Sequence, residues 1–103
     1  MVNFYGVECM LGRDKLPAKS SSIDVILCNY LMMFLSAQQR NQLIGEICRV
    51  GSSSCIIMVE LYPAKDSYAK TDSDMVKMQK EIFDHIGWNK IRYSKGKFVA
   101  QKV

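Results

Sequence analysis

The sequence lacks several of the features from which a function is commonly inferred. Its six glycines are all isolated, so the 103 residues contain no Gly-x-Gly loop, the device that lets a backbone approach a nucleotide closely. There is one histidine, His85, and the four cysteines form no Cys-x-x-Cys pair, which argues against a zinc site. We therefore assign no metal ligand, and we expect His85 to be a solvated side chain.

Long apolar runs are absent too. No stretch approaches the roughly 20 apolar residues of a membrane span, and Met1 leads into no basic-then-apolar leader. We therefore expect a cytoplasmic protein with no membrane partner. With 49% hydrophobic and 23% charged residues the chain is not disordered, and its length predicts one domain, 1–103, with a modest core. The cysteines are expected to act as small buried apolar residues.

What the sequence does contain is a β-α-β pattern in its middle. An apolar run extends from Ile23 to Cys28, and a second extends from Ser54 to Leu61. Between them lies an amphipathic segment that Ser36 and Gln39 can open with a capping box and that Gly51 can end. This pattern predicts parallel strands on either side of a helix, in a sheet buried on both faces.

The C-terminal third predicts a second helix and a hairpin. The helix runs from about Asp72 to Ile86, with Thr71 or Asp72 as its cap and Gly87 as its stop. The hairpin joins a strand from Asn89 to Ser94 and a strand from Lys97 to Val103 through the turn Lys95-Gly96. The fold class is therefore α/β, with parallel strands, a terminal antiparallel hairpin and helices packed on the sheet.

Four segments of the chain carry a family resemblance. They are Leu16-Pro17, Ser22-Ile23-Asp24-Val25-Ile26-Leu27-Cys28, Gln42-Leu43-Ile44-Gly45-Glu46-Ile47-Cys48-Arg49-Val50 and Ile56-Ile57-Met58-Val59-Glu60. In order and spacing they resemble the middle of class I S-adenosylmethionine-dependent methyltransferases. That family reads Leu-Pro, then Ser-Phe-Asp-Val-Ile, a helix ending Glu-Ile-x-Arg-Val, and an apolar strand.

The resemblance implies a truncated Rossmann-like sheet, corresponding to the C-terminal half of the methyltransferase fold. It also implies the strand order, in which the strand from Ile23 to Cys28 lies beside the one that starts at Ser54. The strand from Lys97 follows, and the strand from Asn89 is outermost. Because the glycine loop of the family is missing, we expect weak or absent binding of S-adenosylmethionine by this chain.

By resemblance, the candidate cofactor-binding residues lie at two places. In the family, the loop before Leu-Pro carries an acidic residue near the adenine amine; here the matching position holds Gly12, with Asp14 nearby. The corner Cys28-Asn29-Tyr30 follows the first strand, where the family places the methionine moiety and the transferred methyl group. Asp14 could equally be a solvated loop charge, and Asn29 and Tyr30 could be a turn asparagine and a core-edge tyrosine. No catalytic residue is assigned.

Two function classes stay open. The chain could be a methyltransferase-type enzyme with an unidentified acceptor, or a non-catalytic interaction module that kept the stable half of the fold. The strand from Ile23 to Cys28 would have an open edge, so we expect a homodimer or a partner chain there, the alternative being the segment from Val2 to Leu11 of the same chain. The basic residues of the hairpin could meet RNA, but a charged edge strand is the favoured interpretation.

Overall fold

The computed structural model describes residues 4–6 and 16–103, which form a five-stranded mixed sheet and two α-helices. The elements are β1 (Phe4–Gly6), β2 (Ile23–Asn29), a 3₁₀ helix (Met32–Phe34), α1 (Ala37–Val50), β3 (Gly51–Glu60), α2 (Asp72–Ile86), β4 (Asn89–Ser94) and β5 (Lys97–Gln101). The strand order is β1-β2-β3-β5-β4, with β1, β2 and β3 parallel and the remaining pairs antiparallel. The predicted α/β class and the predicted order of the last four strands are confirmed.

The N-terminus of α1 is fixed by the capping box that the sequence predicts. The Ser36 hydroxyl accepts a hydrogen bond from the Gln39 amide at 3.2 Å, and the Gln39 side chain accepts one from the Ser36 amide at 2.8 Å. At the other end, Gly51 has a φ of −65° and passes directly into β3. The strand therefore begins three residues before the predicted Ser54, because Gly51 continues in extended backbone and pairs with Ile23.

The second helix and the hairpin follow their local signals closely. Thr71 and Asp74 form the capping box of α2, and Gly87 ends the helix in the left-handed region, with φ of 71°. The turn at Gly96 needs a glycine for two reasons: its φ is 83°, and a Cβ there would lie 2.9 Å from the Leu61 carbonyl oxygen. The Leu61 amide donates to the Gly96 carbonyl at 2.7 Å, which ties the hairpin to the end of β3.

Both described helices cover the same face of the sheet. They contact each other, and Phe83 of α2 packs edge-to-face on Phe98 of β5, with ring centroids 5.2 Å apart. The sheet residues on this face are fully buried, and they are Ile26, Cys28, Ile57, Val59, Phe98 and Ala100. This face and the apolar sides of the two helices form the core.

The opposite face of the sheet is also apolar, but it is only partly buried. Its residues alternate with the core residues along the strands, and those of the three central strands include Val25, Leu27, Ile56, Met58 and Val99. We call these five residues the second face. The expectation that both faces are buried is wrong for the part of the chain described, because its two α-helices share one side.

The N-terminal strand lies along the predicted open edge. β1 pairs in parallel with β2 over three residues, Phe4 opposite Val25, Tyr5 opposite Ile26 and Gly6 opposite Leu27. A strand of the same chain therefore pairs with β2, which is the alternative to a dimer or a partner chain at this edge. The rest of the segment from Val2 to Leu11 lies outside the described residues.

Candidate functional site at the ends of the two central strands

The carboxyl ends of β2 and β3 bring two polar side chains together. Asn29 is the last residue of β2, Glu60 is the last residue of β3, and the two are direct partners in the parallel register. Since side chains alternate along a strand and Cys28 points into the core, Asn29 and Glu60 both lie on the side of the second face. The carboxyl ends of parallel strands are where open α/β sheets bind ligands.

Tyr30 follows β2 in a strained backbone conformation, which Glu60 holds at two points. Its φ is 59°, in the left-handed region that residues with a Cβ seldom occupy. The Tyr30 amide donates to the Glu60 carbonyl at 2.8 Å, and the Tyr30 hydroxyl donates to Glu60 Oε2 at 2.5 Å. This hydrogen bond to the carboxylate raises the pKa of the Tyr30 phenol, so the hydroxyl stays protonated as a donor.

A second tyrosine completes the corner. The Tyr62 ring meets the Tyr30 ring in a T-shaped contact, with centroids 5.3 Å apart and an interplanar angle of 62°. Both side chains are large and nearly half exposed, Tyr30 by 48% and Tyr62 by 44%. We call Asn29, Tyr30, Glu60 and Tyr62 the tyrosine corner.

Asn29 carries the most informative atom of the corner. Its side-chain oxygen, Oδ1, is buried and accepts no hydrogen bond from any residue in the described part of the chain. A buried carbonyl-type oxygen without a donor is unfavourable by about 1–3 kcal/mol. The arrangement therefore fits a donor from outside the chain, such as an N–H or O–H group of a ligand, or an ordered water.

Of the other predicted cofactor-binding residues, Cys28 is inaccessible to a ligand through its side chain. The thiol is fully buried on the helix side of β2, and this burial raises its pKa to about 12. The burial of Cys28 and Cys55 agrees with their prediction as core residues, whereas Cys48 is only half-buried. Asp14 lies outside the described residues, and its role in adenine binding stays a prediction.

The segment after Tyr30 is core, as its apolar composition indicates. Leu31, Met32, Met33 and Leu35 are buried, and the Met33 carbonyl accepts a hydrogen bond from the Tyr68 amide at 2.8 Å. The loop around Tyr68 is thereby tied to the 3₁₀ helix. Tyr30, which precedes this buried segment, is exposed.

Sequence reasoning proposes Asn29 and Tyr30 as site residues but does not propose Glu60 and Tyr62, which the structure places beside them. The signal was present, since Glu60-Leu61-Tyr62 ends the second apolar run. Two parallel neighbours end at the same edge of a sheet, so polar residues closing both runs are expected to meet. The contact between the Tyr30 hydroxyl and the Glu60 carboxylate depends on the register, which the sequence does not display.

The basic hairpin forms an exposed edge of the sheet. β4 is an edge strand exposed along its whole length, as predicted for a charged edge. Lys102 Nζ donates to the carbonyls of Cys48 and Gly51 and lies 6.0 Å from the Trp88 ring, and Lys95 pairs with Asp72 at 2.7 Å. Lys95 and Lys102 therefore both have contacts within the protein.

Residues 4–6 and 16–103 contain neither a cluster of metal ligands nor a helix that could span a membrane. Among residues 4–6 and 16–103, no group of three or more His, Cys, Asp or Glu side chains could hold a metal ion. Within the same residues, neither helix has the length and apolar character needed to cross a membrane.

The fold resembles that of solved structures. No family model matches the sequence, and no curated protein matches it. Among solved structures, the chain is similar to the crystal structure of a SAM-dependent methyltransferase from Aquifex aeolicus, with a TM-score of 0.63 and 17% sequence identity. The similarity covers 87% of this chain and 51% of that one, so the chain spans about half the length of the methyltransferase. The fold is therefore methyltransferase-like.

Proposed function

We propose that this chain is a methyltransferase-type protein that acts with S-adenosylmethionine at the tyrosine corner, and that its strands correspond to the C-terminal half of that fold. The observation that carries the proposal is Asn29 Oδ1 at the carboxyl end of β2, which is buried and accepts no hydrogen bond from residues 4–6 or 16–103. The similarity to a SAM-dependent methyltransferase supports the fold on which the proposal rests.

The chemistry of the corner fits this cofactor. S-adenosylmethionine supplies an electrophilic methyl group on a positively charged sulfonium, and its methionine moiety carries an ammonium group with N–H donors. Asn29 Oδ1 is an acceptor to which no described residue donates a hydrogen bond. The carboxylate of Glu60, its partner in the neighbouring strand, favours a positive charge. In this proposal Asn29 and Tyr30 orient the bound groups, and their contribution to rate is proximity and orientation.

We expect the affinity of the isolated chain for S-adenosylmethionine to be weak. The sequence has no Gly-x-Gly loop to receive the nucleoside, so the corner would hold only the methionine end of the cofactor. Calorimetric titration should therefore show no stoichiometric binding at micromolar concentration. A tight one-to-one complex with the purified chain would contradict this expectation.

A second measurement tests the proposed site at the low affinity expected. With S-adenosylmethionine at about ten millimolar, NMR shifts should change at Asn29 and Tyr30, and Asn29→Leu should abolish the change because it removes the acceptor. Asn41→Leu is the matched control, since Asn41 is an exposed asparagine on α1. If the wild-type shifts do not move at this corner, the proposed function is wrong.

The second candidate function is a non-catalytic interaction module. It is favoured by the second face, a partly exposed apolar surface in a chain of only 103 residues. We propose a second copy of the chain as its partner, joined near β2. β1 already pairs with Val25, Ile26 and Leu27 at that edge, so the second face beside it offers the contact surface.

A further inference from the structure

We infer that Tyr30, Glu60 and Tyr62 form a binding site for an organic onium group, meaning a positively charged nitrogen or sulfur that bears carbon substituents. The inference rests on the proposed function, because it names the chemical class that the tyrosine corner recognises. Two sources have this chemistry: an ammonium group of the methyl acceptor, and the sulfonium of S-adenosylmethionine itself.

The first support is the charge of Glu60. Only one of its carboxylate oxygens, Oε2, accepts a hydrogen bond from a described side chain, that of Tyr30. The ion pairs found in residues 16–103 are Arg49 with Glu46, Lys80 with Asp84 and Lys95 with Asp72, and Glu60 takes part in none of them. Lys97 is its direct partner across β3 and β5, yet the two charges form no ion pair. Glu60 therefore presents a negative charge that no cation within the described chain neutralises.

The second support is the pair of tyrosine rings. A cation binds over the face of an aromatic ring, with an attraction of about 0.5–2 kcal/mol that grows as water is excluded. In a T-shaped pair one ring directs its edge at the face of the other, so the remaining ring faces are not used by the pair. Tyr30 and Tyr62 are each nearly half exposed, which leaves them accessible to a ligand.

The third support is the rigidity of the corner. Tyr30 sits in a strained left-handed conformation and is held by Glu60 through both its amide and its hydroxyl. Backbone strain of this kind persists where the surrounding contacts fix it, and it is concentrated at binding sites. The carboxylate and the first ring are thus positioned before any ligand arrives, which lowers the entropic penalty of binding.

Choline and its uncharged isostere 3,3-dimethyl-1-butanol test the inference directly. The two probes have nearly the same shape, and only choline carries the positive charge. In NMR titrations of the full chain without cofactor, we expect choline to shift the signals of Tyr30 and Tyr62 with millimolar affinity, and the isostere to bind about ten-fold more weakly or not at all. Equal binding of the two probes, or no binding of choline up to 100 mM, would overturn the inference.

Two substitutions at the site, each with a matched control, locate the effect. Glu60→Gln keeps an acceptor for the Tyr30 hydroxyl but removes the charge, and it should weaken choline binding about ten-fold, whereas Glu81→Gln, at an exposed site on α2, should not. Tyr62→Leu should weaken binding several-fold, and Tyr62→Phe, which keeps the ring, should retain it. An unchanged choline affinity in folded Glu60→Gln would contradict the site.

The same variants distinguish the two sources. S-adenosylmethionine is charged and S-adenosylhomocysteine is a neutral thioether, so the ratio of their affinities reports on the sulfonium. If Glu60→Gln lowers this ratio, the onium group is that of the cofactor; if it leaves the ratio unchanged but weakens choline, the group belongs to the acceptor. Choline binding is measured without cofactor, so it is independent of cofactor binding. The onium inference can therefore be wrong while the proposed function holds, and the proposed function can be wrong while the onium inference holds.

Discussion

Tyr30 shows how one residue can connect the fold to the proposed chemistry. Its position was predicted from the sequence as the corner after β2, but its left-handed backbone and its hydrogen bond to Glu60 come from the pairing of β2 with β3. The carboxylate raises the pKa of the Tyr30 phenol, chiefly through that hydrogen bond and then through its charge.

The Tyr30 phenol should therefore ionise above its ordinary pKa of 10 in the folded chain. Since the folded-state pKa is the higher one, the stabilisation is fully present below pH 10 and is lost as the pH rises through the folded value. The measurement is the difference between the absorbance titration curves of the wild type and of Tyr30→Phe. This difference isolates the signal of one of the five tyrosines. In Glu60→Gln the difference titration should move to lower pH, and an unmoved curve would mean that the carboxylate does not act on Tyr30.

The buried thiol of Cys28 leads to a second prediction at this scale. Its pKa rises to about 12 by burial, so unfolding becomes more favourable as the pH rises from about 9 towards 12. The free energy of unfolding should fall by up to about 1.4 kcal/mol per pH unit from this thiol. Urea denaturation between pH 8 and 10.5 should show a shallower decline in Cys28→Ala than in the wild type. If the two declines have the same slope, the Cys28 thiol does not titrate on unfolding.

At the scale of elements, α1 fixes the connection that leads into β2. Glu46 accepts the Leu16 amide at 2.8 Å and pairs with Arg49, whose guanidinium donates to the carbonyls of Leu16 and Ala18. The guanidinium thus links the helix to a segment about thirty residues earlier in the chain. A lysine could not replace it, because a single ammonium group cannot reach all of these acceptors at once. The Glu-Ile-x-Arg-Val end of the helix, from which the resemblance was inferred, has this structural role.

Arg49→Lys should therefore lower the free energy of unfolding by about 1–2 kcal/mol, because several carbonyl contacts are lost while the charge is kept. Arg92→Lys is the matched control, since Arg92 is exposed on the edge strand β4, and its effect should stay within about 0.5 kcal/mol. Chemical denaturation of both variants measures the difference. If Arg49→Lys is as stable as the wild type, the guanidinium contacts contribute nothing to stability beyond the positive charge.

The elements also show how far the sequence could predict the structure. The start of α1, both ends of α2 and the Lys95-Gly96 turn were predictable because capping boxes and turn glycines act within a few residues. The strand order of β2 to β5 was predicted by resemblance together with that turn. Glu60 and Tyr62 could not be proposed as candidate residues because their contacts with Tyr30 arise only from the register of strands whose ends lie 30 residues apart. The partial exposure of the second face could not be predicted, because an apolar run looks the same whether or not a helix covers it.

For the whole molecule, the partly exposed second face and the short β1 lead us to predict that two copies of the chain associate. β1 contributes three residues beside β2, and the five apolar residues of the second face remain partly exposed. A second copy packed there would bury surface that a chain of 103 residues otherwise leaves in water. Light scattering across a concentration series should therefore show a species of twice the monomer mass at high concentration.

Two substitutions test whether the second face forms that contact. Met58→Lys and Val99→Lys place a charge on neighbouring strands of the face and should shift the mass to that of the monomer, because a buried unpaired lysine opposes association. Val76→Lys is the control, since Val76 is 46% exposed on α2, and circular dichroism verifies that each variant is folded. A wild-type chain that keeps the monomer mass at high concentration, with the amides from Ile23 to Cys28 protected from hydrogen exchange, would show that β1 closes this edge by itself. In that case the interaction-module function would lose its main support, and the tyrosine corner would have to account for the function of the chain.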